Sequence, residues 1–116
     1  MRALIIASLL LNVTLLVPVC FSLLTRAEWT LAAYGAATPA RGILLSVYLA
    51  ILLGSAALLL KPVPAMVAAL LMVQVAYKLT TPFTVGTLNN PVVLSNLAIA
   101  AFHSLTLVAI WREFRP

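Results

Sequence analysis

Apolar residues fall into four long runs, Ala3–Leu24, Pro39–Leu60, Pro64–Thr81 and Pro91–Trp111, with polar residues gathered between them. At about 1.5 Å of rise per residue, each run covers roughly 27–33 Å as an α-helix, close to a hydrocarbon core of ~30 Å. Helices are expected rather than strands, because backbone polar groups in lipid must be satisfied within the segment or within a closed barrel. The runs do not alternate in polarity as barrel strands do. The pattern therefore predicts an all-α, polytopic membrane protein. Four transmembrane helices would form one bundle and one domain over residues 1–116, with a short interfacial helix between the first two.

The ends of the runs carry their own chemistry. Three begin at a proline: Thr38-Pro39, Val63-Pro64 and Asn90-Pro91. Proline in the first helical position gives up only an N–H that has no intrahelical partner, and a preceding threonine or asparagine can cap the next donors. Pro18 lies inside the first run and predicts a kink there. In the connection Thr25–Thr38, the residues Thr25-Arg26-Ala27-Glu28 have capping-box spacing and Gly35 supplies a stop. Trp29 and Tyr34 are rings suited to the headgroup level. This predicts a short surface helix, with an irregular loop as the alternative. Lys61-Pro62-Val63 is tight enough to make an antiparallel hairpin of the second and third spans, and Pro82–Asn90 reads as an uncharged turn-rich loop.

Composition supports the membrane reading. The 116 residues are 65% hydrophobic and 8% charged, against roughly 25% charged in a soluble domain. A globule of this size exposes too much of its area to hide so much apolar surface from water. The net charge of +5 does not point to nucleic acid. Arg2, Arg26, Arg41, Lys61, Lys78, Arg112 and Arg115 stand singly, nearly all beside the ends of apolar runs, where basic residues anchor helices and set orientation. Arg2, Lys61, Arg112 and Arg115 fall on one side, with Arg26, Arg41 and Lys78 opposite. That bias leans toward cytoplasmic termini, and the expected location is the bacterial inner (plasma) membrane. Cys20 is the single cysteine, which excludes an internal disulfide and the usual zinc clusters. Val19 before it is too large for a lipoprotein cleavage site, so the first run is expected to be a retained span.

Polar side chains inside a span are expensive and ask for a partner or a purpose. Asn12, Tyr48, Gln74 and His103 lie nearest the middle of their runs, one in each. They make a layer able to bind a ligand or pass a proton; hydrogen-bonded glue between helices is the commoner use of such groups. Gln74, Tyr77, Lys78 and Thr81 share one side of the third span, and Asn96 aligns with His103 on the fourth. Folding back the third connection brings Asn96 to the depth of Tyr77 and Lys78, a second polar patch. Snorkelling to the interface is the commoner explanation of Lys78. His103, the only histidine, is the one group here whose ordinary pKa lies near neutrality. Gly42, Ser46, Ala50 and Gly54 repeat at every fourth residue, a small-residue ladder that lets another helix approach. Tyr48 falls on the opposite face. Packing within the chain is the favoured use of the ladder, with a second copy as the alternative.

Several classes are disfavoured by what is missing. The small multidrug-resistance exporters have four spans and exchange protons for cationic drugs on a membrane-embedded glutamate. Here the only acids, Glu28 and Glu113, lie outside the runs. No paired carboxylate, HExxH, phosphate-binding glycine loop or GxSxG is present. In outline the chain resembles small four-helix bacterial membrane proteins such as the DoxX-like ones, with no motif diagnostic of them. No catalytic residue, metal site or cofactor is assigned. The leading expectation is an accessory, interaction or self-associating subunit whose partners are the bilayer and a homo-oligomer or larger membrane complex. A small transporter or pore for a neutral or anionic solute is the alternative. An enzyme or cofactor carrier centred on His103, helped by Asn96 or Tyr77, comes third.

Overall fold

The computed structural model describes residues 1–114, so Arg115 lies outside the described residues. All regular structure among them is helical: α1 (Arg2–Leu24), α2 (Glu28–Tyr34), α3 (Pro39–Leu60), α4 (Pro64–Val85) and α5 (Pro91–Phe114). α1, α3, α4 and α5 are long and apolar enough to cross a membrane. Their 22–24 residues correspond to roughly 33–36 Å of helix.

Contacts divide the chain into two compact units. The first joins Met1–Ser8 to the chain from Lys61 onward and contains the packed pair α4 and α5. The second is Leu9–Leu60, which holds the rest of α1, with α2 and α3. Large apolar side chains point outward in both. Leu60 is 90% exposed and Phe83 84% exposed, a surface that water would penalise and hydrocarbon would not.

The helix starts follow the proline pattern. The Asn90 side-chain oxygen accepts from the Val92 and Val93 N–H groups at 2.9 and 3.4 Å. The Thr38 hydroxyl accepts from the Arg41 N–H at 3.4 Å. Val63 offers no side-chain cap, and Pro64 alone marks that start.

The capping box at Thr25 does not form. Thr25 instead donates its hydroxyl back to the Phe21 carbonyl at 2.9 Å, and Ala27 precedes α2 with no side-chain cap. α1 ends in a Schellman motif: the Ala27 N–H reaches the Ser22 carbonyl at 2.9 Å and the Arg26 N–H the Leu23 carbonyl at 3.3 Å. Thr25 therefore closes α1 rather than opening α2. Arg26 occupies the left-handed position of that motif at φ 57°, where glycine is usual.

The third connection is shorter than the sequence implied. α4 continues through Thr81 and Pro82 to Val85 and stops at Gly86, whose left-handed backbone sends its N–H to the Pro82 carbonyl at 3.0 Å. Pro82 lacks an N–H, and the two hydroxyls before it close over the disturbed turn: Thr80 and Thr81 donate to the Tyr77 carbonyl at 2.9 and 2.7 Å. α5 likewise runs three residues beyond Trp111 to Phe114.

Candidate functional site

In the unit built on α4 and α5, side chains meet at two levels. Lys78 and Asn96 are each 5% exposed. The Lys78 ammonium donates to the Asn96 amide oxygen at 3.1 Å, and the Asn96 amide nitrogen donates to the Thr81 hydroxyl at 3.4 Å. The ammonium also lies 4.9 Å from the centre of the Tyr77 ring, within cation–π range. This is the patch expected from folding α5 back on α4. Snorkelling does not describe Lys78, because its amine turns into the protein and α4 extends seven residues beyond it.

At the second level, His103, Ser8 and Thr106 are fully buried. His103 Nδ1 lies 3.1 Å from the Ser8 hydroxyl. Ser8 lies 2.7 Å from the Thr106 hydroxyl, and Thr106 lies 3.3 Å from the Leu4 carbonyl. A hydroxyl has a single proton to donate. One ordering therefore serves all three bonds: His103 Nδ1–H to Ser8, Ser8 to Thr106, Thr106 to Leu4. In that ordering His103 donates from Nδ1. Gln74 is buried on α4, one turn before Lys78.

The other unit holds the remaining candidates. Asn12 donates to the Ser55 hydroxyl at 3.0 Å, linking α1 to α3. Tyr48 is buried, with its ring edge-on to Tyr34 at 6.0 Å. The small-residue ladder is on the opposite side of α3, as its spacing requires. Within its own unit the ladder is not a packed face. Gly42, Ser46 and Ala50 are exposed and Gly54 is half-buried, and a Cβ added at Gly42 or Gly54 would meet no atom within 4 Å. α3 packs instead through Arg41, Tyr48, Ile51, Ser55 and Leu58.

Sequence reasoning missed Arg41 as a buried group. It is 6% exposed, and its guanidinium donates to the Gly35 carbonyl at 2.7 Å and to the Thr30 hydroxyl at 2.8 Å. Ser8, Ser55 and Thr106 were missed too. Thr106 follows His103 by three residues on the same face, and Ser55 is two turns from Tyr48, so helical spacing carried a signal for both. Nothing local marks Thr30 as a partner of Arg41.

An apolar cleft of about 630 Å³ runs between the start of α4 and the end of α5, with Ala68, Met72, Leu107 and Trp111 in its wall. None of the polar candidates lines it. Comparison with protein-family models, with curated proteins and with solved structures finds no match to this chain, so its chemistry stands on these residues alone.

Proposed function

We propose that this chain is a multi-pass protein of the bacterial inner membrane, a four-helix bundle that acts as a self-associating or accessory subunit. The observation that carries the proposal is the open small-residue face of α3, where Gly42, Ser46, Ala50 and Gly54 leave the backbone uncovered. In lipid, helices associate by close van der Waals packing rather than by hydrophobic exclusion, and such faces are where backbones approach. The polar groups inside the spans support the same reading. Asn12 with Ser55, Ser8 with His103 and Thr106, and Lys78 with Asn96 bond to one another, as groups used for cohesion do. The termini are assigned to the cytoplasm. With Lys78 drawn into α4, only Arg26 and Arg41 balance Arg2, Lys61, Arg112 and Arg115.

The test is cross-linking and single-molecule photobleaching of the full chain in phosphatidylcholine vesicles. A discrete oligomer, or a defined partner co-purifying from the native membrane, is expected. Gly54→Leu covers the face without touching the polar pairs and should lower the associated fraction roughly tenfold, equivalent to ~1.4 kcal/mol. A monomer with no co-purifying partner, or association indifferent to Gly54→Leu, overturns the reading.

A second reading, passage of a neutral or anionic solute, is favoured by Lys78, a cation within a span that also lacks any acid. Vesicle flux that is the same in wild type, Asn12→Ala, Gln74→Leu and His103→Ala would remove it.

A further inference from the structure

The end of α1 and the start of α3 enclose a cleft of about 190 Å³ whose wall includes Leu23, Arg26, Thr38, Arg41, Gly42 and Leu45. With ~30 Å³ of liquid volume per water, the cleft can hold a tetrahedral oxyanion and its first waters. Its wall includes two arginines, Arg26 and Arg41, and no acidic residue. Glu28, the only acid in this unit, lies outside the wall.

The two arginines play different parts. Arg41 is nine-tenths buried and held in place by the Gly35 carbonyl and the Thr30 hydroxyl. Both of those partners are neutral, so the positive charge stays uncompensated, and the fork retains donors beyond the two in use. Arg26 is exposed at the rim and held by a left-handed backbone at the Schellman turn. Two like charges on one small cleft repel unless an anion lies between them. The wall supplies no acid of its own, so an anion between them would come from outside the chain. The α3 N-terminus adds the positive end of a helix dipole at the same place.

We infer that this cleft binds a phosphate-type oxyanion, with Arg41 as the recognising fork and Arg26 as the outer charge. Guanidinium matches phosphate oxygens in planar, bidentate geometry and is the usual residue for that task. The phosphate belongs either to an anionic lipid headgroup or to a free anion.

The experiment uses the full chain in phosphatidylcholine nanodiscs containing a minor fraction of phosphatidylglycerol. Native mass spectrometry reads the lipid retained on the released protein, with and without inorganic phosphate. Wild type should retain phosphatidylglycerol in preference to phosphatidylcholine, or bind inorganic phosphate. Arg26→Gly and Arg41→Lys should each weaken retention about tenfold, the scale of one charge-assisted hydrogen bond. Arg26→Gly is the decisive variant, because glycine suits the left-handed turn and a loss of binding cannot be assigned to misfolding. Displacement of the lipid by inorganic phosphate identifies a free anion as the ligand, and undisturbed retention identifies the headgroup. Equal retention of both lipids without phosphate binding overturns the inference. So does unchanged binding by Arg26→Gly, or an equal loss in Arg2→Gln, which removes a cation remote in sequence from the cleft.

Discussion

Among the described residues each unit of the molecule buries one cation with no carboxylate bonded to it, Arg41 in one and Lys78 in the other, and the two solve the same problem differently. Arg41 stands in the first turn of α3, beside a connection whose carbonyls are not consumed by a helix, and it takes one of them, Gly35 O, with the Thr30 hydroxyl. Lys78 stands inside α4, where most backbone carbonyls are committed to the helix, and it takes a side-chain amide from α5. A cation near a loop can be satisfied by backbone that the turn exposes anyway. A cation in mid-helix depends on a particular residue of another helix. The mid-helix cation should therefore be the more vulnerable to loss of one partner.

The largest effect is expected from Asn96→Leu, which leaves the Lys78 ammonium buried beside a hydrocarbon side chain. Removing one partner of a buried charge costs about 3 kcal/mol or more, read as a shift in equilibrium unfolding in mixed detergent. Lys78→Met removes the charge with the stem and should cost less than Asn96→Leu. The opposite order would mean that Lys78 escapes to water once released. Next comes Thr30→Val, which removes one of the two bonds to Arg41 and leaves the Gly35 carbonyl in place. About 2 kcal/mol is expected, the scale of a hydrogen bond to a charged group. A loss equal to that of Asn96→Leu would erase the distinction between the two cations.

How much of this could be read beforehand follows the same division. Helix existence was legible, because run length and the prolines at 39, 64 and 91 state it directly. The common depth of Lys78 and Asn96 was legible as well, since two helices joined by a short connection have their depths fixed by residue counting. The bond between them was not, because a lysine near a helix end is more often expected to snorkel to the interface. Nor was the end of α4. Pro82 looks like a terminator, yet α4 accommodates it within its last turn, and Gly86, with its left-handed backbone, is the actual stop. Thr25 misled for a related reason: a threonine three residues before a glutamate fits a start, but its hydroxyl found a carbonyl of the preceding helix first. The bond between Arg41 and Thr30 depends on how α2 folds back toward α3, which no local pattern encodes. The outward direction of the small-residue ladder was equally hidden, because spacing says which residues share a face and not what that face meets.

The smallest effect is one of opposite sign, and it compares the two units through their helix ends. α4 closes on Gly86 at φ 86° and α1 on Arg26 at φ 57°, both left-handed. A side chain in that region crowds its own carbonyl, by about 1 kcal/mol relative to glycine. Arg26→Gly should therefore stabilise the chain by about 1 kcal/mol in phosphatidylcholine, where no anionic lipid is present to reward the charge. The reciprocal Gly86→Arg should lose a similar amount, since open space around Gly86 leaves the backbone as the main cost. If Arg26→Gly instead destabilises, the guanidinium contributes contacts within the fold that outweigh its strained backbone, and the two helix ends are not equivalent. If it stabilises as expected, the arginine is held at a turn where glycine serves the fold better, and its charge, rather than its packing, is what that position retains.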